Sequence, residues 1–185
     1  MPGSATEEAL KIALGAAEAD GASVKLFDGA FMARLAHYTR GPLSDEATAL
    51  VSAIRAADGL IIASPGYHGS ISGLVKNAID YIEETARDPR AYLDGLPVGL
   101  IVTAHGWQAT GSTLATLRSI VHSLRGWPTP LGATIKAAGG MFADGACADP
   151  AAAAQLDLVG RQVVEFARLR KRAPSITLTG PAEQE

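Results

Sequence analysis

Residues 59–83 read GLIIASPGYHGSISGLVKNAIDYIE, and this stretch decides the architecture. An apolar run, Gly59 to Ala63, breaks at a loop bearing Pro65, Gly66 and Gly69, and a helical pattern resumes almost at once. A run without alternation is what a strand covered on both faces shows. In the helix expected over 72–86, Leu74, Val75, Ala78, Ile79 and Ile82 point inward, with Lys76, Asp80, Glu83 and Glu84 outward.

The same strand-and-helix rhythm extends both ways. Upstream, residues 4–20 place Leu10, Ala13, Leu14 and Ala17 on one face behind Ser4-Ala5-Thr6-Glu7, which has capping-box spacing. A short strand is expected at Ser23 to Phe27 and an irregular stretch at Asp28 to Leu43. A helix over 44–57 follows, started by Ser44 and Asp45, with Leu50, Val51 and Ile54 aligned. Downstream, Pro97 to Ala104 is a second buried-strand run. A helix over 111–125 carries Leu114, Leu117, Val121 and Leu124 and stops at Gly126. Leu131 to Ala137 is the last expected strand. Asp149-Pro150 opens a final helix to about Arg172, with Leu156, Val159, Val163, Phe166 and Leu169 as its apolar face. There is no internal repeat. The pattern predicts an α/β domain over residues 1–173, a parallel sheet with helices on both faces, and a flexible tail over 174–185. Ligands of such sheets bind outside the carboxyl ends of the strands, where strand order reverses. The loops leaving runs 59–63 and 98–104 are therefore the places to search.

Bulk properties narrow the partner. The chain has 185 residues, 48% hydrophobic and 19% charged, with a net charge of −3. That size and balance suit one domain with its own core. The mild charge and the lack of a basic run argue against nucleic acid or an anionic membrane and for a small molecule or another protein. Glu7 and Glu8 stand where a secretory signal is basic, and no apolar run is long enough to span a bilayer, so a cytoplasmic protein is expected. Cys147 is the single cysteine, which excludes an internal disulfide, and no neighbouring cation activates it.

In the first loop, Pro65, Gly66 and Gly69 permit backbone shapes in which successive amides face a ligand. A planar heterocycle with carbonyls and ring nitrogens could lie against Pro65, Gly66, Tyr67, His68, Gly69 and Ser70, with Tyr67 as an aromatic wall. An ordinary strand-to-helix turn capped by Ser70 or Ser72 accounts for the same residues. The second loop, 104–112, ends at a helix N-terminus whose free amides attract electron-rich oxygens. There His105 could donate to a ligand carbonyl and Trp107 wall one side, or both could be plain loop residues. His37, His68 and His122 form no metal-ligand spacing, so no metal is expected. No Gly-x-Ser-x-Gly follows a strand, which speaks against a hydrolase.

The positions Ser64-Pro65-x-Tyr67-x-Gly69-Ser70-x-x-Gly73-x-x-Lys76-Asn77-x-x-Asp80 resemble the signature of the NADPH-dependent FMN reductases, flavodoxin-like proteins that include quinone, chromate and azo-dye reductases. The resemblance extends over essentially the whole chain. It implies a flavodoxin-like doubly wound sheet, with FMN and NADPH or NADH as cofactors. The backbone of Pro65 to Ser70 would hold the flavin ring, and His105, Gly106, Trp107 and Gly111 would approach it from the other side. Lys76, Asn77 and Asp80 would fix the loop to its helix, Asn77 being structural. Chemistry would belong to FMN, so no catalytic side chain is assigned. Gly66 stands where many members carry Glu, which bears on acceptor preference.

A larger departure is at the start. The family opens with a strand and a Gly/Ser/Arg phosphate loop, and Met1-Pro2-Gly3-Ser4-Ala5-Thr6 matches only the end of that loop. Ser4 and Thr6 can still offer hydroxyls to a phosphate at a helix N-terminus. In strand order 2-1-3-4-5 the first strand lies between runs 23–27 and 59–63. Without it two inward edges lose partners, at roughly 1–3 kcal/mol for each buried unsatisfied group. Total stability is only about 5–15 kcal/mol. Either a start upstream supplies the strand, which is the expectation here, or the sheet closes differently, with a partner's strand. The resemblance further implies an NAD(P)H oxidoreductase acting on a small electron acceptor, as a homodimer or homotetramer to whose interface Tyr67, Tyr81 and Trp107 contribute. A flavodoxin-like electron carrier and a flavin-free scaffold are the alternatives.

Overall fold

The computed structural model describes residues 3–143 and 145–173, so the expectation for the 174–185 tail lies outside the described residues. In chain order it contains α1 (Ala5–Ala19), α2 (Gly29–Met32), α3 (Asp45–Ala56), β1 (Leu60–Tyr67), β2 (Ser70–Ile71), α4 (Gly73–Asp80), a 3₁₀ turn (Tyr81–Thr85), β3 (Pro97–Ala104), α5 (Trp107–Ser123), β4 (Trp127–Lys136), β5 (Phe142–Ala143), β6 (Ala146–Cys147) and α6 (Pro150–Arg172). The main sheet has order β2-β1-β3-β4, with β1, β3 and β4 parallel. Registers run from Leu60↔Val98 to Pro65↔Thr103 and from Pro97↔Trp127 to Ala104↔Lys136.

Two apolar clusters lie on opposite faces. Leu60, Ile62, Val98, Leu100 and Val102 turn toward α3, α4 and α5, while Ile61, Ala63, Ile101, Ala133 and Ile135 turn toward α1 and α6. All eight residues of β3 are buried, as a strand covered on both sides requires. The doubly wound α/β expectation is met.

The helix ends are written in local chemistry. Ser4 caps α1 by accepting from Glu7 N at 3.3 Å. Its other end is a Schellman motif, with Ala22 N donating to Ala17 O and Gly21, at φ 84°, donating to Glu18 O. Asp149 accepts from Ala151 N and Ala152 N at 2.8 and 3.2 Å, and Pro150 begins α6. Arg170, Lys171 and Arg172 complement the negative end of α6. At that end Lys171 Nζ pairs with Asp58 at 2.7 Å and Arg168 donates to the carbonyl of Asp20, which ties α6 to the amino end of β1 and to the end of α1.

Four expectations are corrected. Residues 23–27 are extended but are not a strand, because they make no backbone hydrogen bond to β1. Instead a cleft of about 920 Å³ separates them from Gly59–Ala63. Helix α5 begins at Trp107, not 111, so the second loop shrinks to His105 and Gly106. The helix expected over 72–86 tightens to 3₁₀ geometry after Asp80. Finally, β4 begins at Trp127, four residues before the expected strand. Among the described residues no helix is long and apolar enough to cross a membrane.

Candidate flavin site at the carboxyl edge

The loop after the first apolar run is a β-hairpin. Strand β1 continues through Ser64–Tyr67, turns at His68 and Gly69, and returns as β2 with Gly66 opposite Ile71 and Tyr67 opposite Ser70. His68 (φ 49°) and Gly69 (φ 83°) are both left-handed, the signature of a type I′ turn. The Tyr67–Ser70 pair closes such a turn, so the amides of His68 and Gly69 stand outside the ladder. This is how the sequence came to offer backbone donors here: glycine accepts the geometry freely and histidine at a cost.

Two hydroxyls pin the hairpin. Ser64, fully buried, accepts from Ser72 N at 3.0 Å and donates to Pro65 O at 2.9 Å. Thr113 of α5 donates to Ser70 O at 3.3 Å. Gly66 packs so tightly on α5 that a Cβ there would lie 2.8 Å from Thr113 Oγ1 and 3.2 Å from Ala109 O. The Glu expected from the family at this position has no space in this arrangement.

The adjacent strand end supplies the second wall. The N-cap of α5 is Gly106, which has no side chain with which to cap, so the first-turn amides remain donors at the positive end of a 17-residue helix. His105, Gly106 and Trp107 are exposed there, while Gly111 lies one turn inside the helix on its exposed side. Tyr67 and Trp107 are 58% and 62% exposed, high for aromatic side chains, and they present apolar surface beside these donors.

Helix α1 reaches the same edge. Thr6 Oγ1 and Thr103 Oγ1 are hydrogen-bonded at 2.6 Å, and Thr103 is next to last in β3. Ser4 spends an acceptor lone pair on Glu7 N, which leaves its O–H free to donate. The capping and phosphate readings of Ser4 are therefore compatible. Glu7 and Glu8 stand in the same first turn and oppose an anion, but Lys11 Nζ, at 2.8 and 3.0 Å, neutralises part of their charge. The residues fit an anionic group with a planar ring: hydroxyl and helix-end donors at α1, then turn and helix-end amides beside exposed aromatics.

The signature residues after the hairpin have other work. Asn77 accepts from Tyr38 N at 2.8 Å and donates to Ala36 O at 2.9 Å, so it anchors the irregular 33–43 segment and not the 64–70 loop. Lys76 and Asp80 pair with each other at 2.6 Å on the surface. Tyr81 is buried, its hydroxyl donating to Ala36 O at 3.0 Å, so it is removed from any intersubunit surface. Tyr38 donates to Glu84 at 2.8 Å, and burial followed by that carboxylate pushes its phenol up to about 12. This Tyr38–Asn77–Tyr81 cluster was not singled out from sequence. Its partners are 39 and 45 positions apart, and no local spacing announces them.

The chain is 42% identical over 77 residues to an FMN-dependent NADPH-azoreductase of Staphylococcus haemolyticus, covering 42% of this chain and 37% of that protein. It is 43% identical over 75 residues to the enzyme of the same name from Staphylococcus aureus, covering 40% of this chain and 36% of that one. The matched stretch thus spans well under half the length of these relatives. Among solved structures, the flavoenzyme NAD(P)H:acceptor oxidoreductase FerB from Paracoccus denitrificans superimposes with a TM-score of 0.68 at 23% identity, over 92% of this chain and 93% of its own. The apo form of an NADH:FMN oxidoreductase, EMOB, gives 0.66 at 22% identity over 94% and 87%. These likenesses establish the flavodoxin-like fold. The sequence profile of the NADPH-dependent FMN reductases matches residues 1–139, and the chain belongs to that family.

Proposed function

We propose that the protein is an FMN-dependent NAD(P)H oxidoreductase that passes electrons to a small organic acceptor of the quinone, azo or free-flavin type. One observation carries this reading: the Ser4 end of α1, the His68–Gly69 turn and the Gly106 end of α5 bring backbone and hydroxyl donors to the same edge of the sheet. FMN, when bound, supplies hydride acceptance and onward electron transfer. Ser4 and Thr6 hold the phosphate end, with the first-turn amides of α1. The backbone of Pro65, Gly66, Tyr67, His68, Gly69 and Ser70 holds one side of the ring, and His105, Gly106 and the start of α5 the other. Tyr67 and Trp107 exclude water from the nicotinamide face. Gly111, one turn inside α5 on its exposed side, leaves open space on the helix surface beside that wall. No side chain acts as acid or base. Two copies associate through the exposed Tyr67 and Trp107 rim as a homodimer, and the lone Cys147 suits a reducing cytoplasm.

The test is titration of the purified chain with FMN, followed by NADPH oxidation. Saturable quenching of flavin fluorescence together with FMN-dependent loss of NADPH absorbance is expected. Binding without NADPH oxidation would make it an electron carrier, and absence of both would end the flavin reading.

A further inference from the structure

We infer that Thr103 is a positioning residue for phosphate recognition: its buried hydroxyl donates to Thr6 Oγ1 and so reserves the Thr6 proton for a phosphomonoester held at the start of α1. This rests on the flavin reading given above and adds to it a residue that touches no ligand.

Thr103 is out of character for its strand. Every other position of β3, Pro97 to Val102 and Ala104, carries no polar side-chain group, as burial on both faces requires. Thr103 is 4% exposed, and among the described residues Thr6 Oγ1, at 2.6 Å, is the one hydrogen-bond partner of its hydroxyl. Valine has the same branching and suits a strand equally well, so packing alone does not call for a hydroxyl here.

The direction of the bond follows from counting protons. A threonine hydroxyl has one proton to give and two lone pairs to offer. Were Thr6 the donor, the Thr103 proton would sit in the interior without an acceptor, which costs free energy. With Thr103 as donor, its one proton is used, and Thr6, half-buried in the first turn of α1, keeps its own. A phosphate oxygen is a strong acceptor for that O–H, in the same turn as the free first-turn amides and the Ser4 hydroxyl. Because Thr103 holds the Thr6 side chain in place, less rotamer freedom is lost when an anion arrives.

The position of Thr103 also ties the two ends of the site together. Its backbone is paired with Pro65, where the ring-holding stretch begins, and Ala104 alone separates it from His105 and Gly106 at the start of α5. The hydroxyl on the same residue reaches the phosphate end. A flavin carrying a phosphate is therefore recognised over its dephosphorylated form through a strand residue that lies beneath the helix.

Fluorescence titrations with FMN and with riboflavin provide the test, on the chain as it stands and on Thr103→Val, Thr103→Ser, Thr6→Ala and the Thr6→Ala/Thr103→Val double variant. Thr103→Val is expected to weaken FMN binding about five- to tenfold and to leave riboflavin within about twofold. Thr103→Ser keeps the hydroxyl and should hold FMN within about twofold of the unaltered chain. In the Thr6→Ala background, Thr103→Val should cost FMN nothing further, because the hydroxyl it serves is gone. If Thr103→Val does not fold, Thr103→Cys, a weaker donor of similar size, takes its place and should lower the FMN-to-riboflavin affinity ratio. An unchanged ratio, equal losses for the two flavins, or additive losses in the double variant overturn the inference and leave the flavin reading intact. If the unaltered chain takes up neither flavin, that reading fails and this inference falls with it.

Discussion

Gly66 and Thr113 are in such close apposition that a single methyl on residue 66 would stand 2.8 Å from the Thr113 hydroxyl. The hairpin and α5 thus behave as one block, further locked by the Thr113–Ser70 bond. Gly66→Ala is expected to cost about 1–3 kcal/mol by overpacking, read as a lower denaturant midpoint at unchanged slope. It should also weaken FMN binding, because the turn amides move with the strand.

Ser4 separates stability from ligand recognition. Ser4→Ala should cost about 1 kcal/mol of stability through loss of the helix cap. Where its free O–H meets a phosphate, FMN affinity should fall about tenfold or more while riboflavin affinity is unchanged. Parallel titrations with the two flavins check this, and equal losses would remove Ser4 from the phosphate site.

Asn77 carries two backbone partners of the 33–43 segment. Asn77→Ala leaves the Tyr38 amide to find water, while the Ala36 carbonyl keeps the Tyr81 hydroxyl, at about 1–3 kcal/mol. Faster exchange of the Tyr38 amide with little change in flavin affinity is the expected result, since the bonds lie away from the hairpin.

Tyr38 makes stability depend on pH in the alkaline range. Its phenol is raised to about 12 in the fold, by burial and by Glu84, against about 10 when unfolded. A raised folded value means that the native state keeps its proton longer. The contribution is complete below about pH 10 and is lost as pH rises through about 12. Denaturation curves from pH 9 to 12 should show a decline that Tyr38→Phe flattens.

Two helical glycines should respond in opposite directions. A Cβ on Gly160 would run into the Ala13 carbonyl oxygen where α6 crosses α1, whereas Gly15 has open space around it. Gly160→Ala is expected to destabilise by about 1–3 kcal/mol and Gly15→Ala to stabilise by about 0.5–1 kcal/mol. Thermal melts of both variants decide it.

The layers and most helix ends were legible because their causes are local. Asp149-Pro150 marks the start of α6, Ser44 caps α3 through Ala47 N, and the unbroken apolar run of β3 announces burial on both faces. Residues 23–27 have strand composition, but a strand exists only by pairing, and the neighbour is not in contact. The start of α5 is not legible locally, because Gly106 and Gly111 have loop composition although the first is an N-cap and the second an exposed helical position. The hairpin lacked the usual Asn-Gly or Asp-Gly cue, His68 standing in that place. Of the site, the hairpin backbone and Ser4 were recoverable from motif, while the Thr113 and Asn77 contacts depend on chain-distant packing.

Strand β4 forms the opposite border of the sheet, and its sequence places Pro128 and Pro130 near its start. Neither residue has an amide hydrogen to give, so this margin is a poor template for stacking one molecule's sheet onto another's. Growth of the sheet into larger β-assemblies is discouraged on that flank by composition alone, which steers any pairing of copies toward helix surfaces and loop rims.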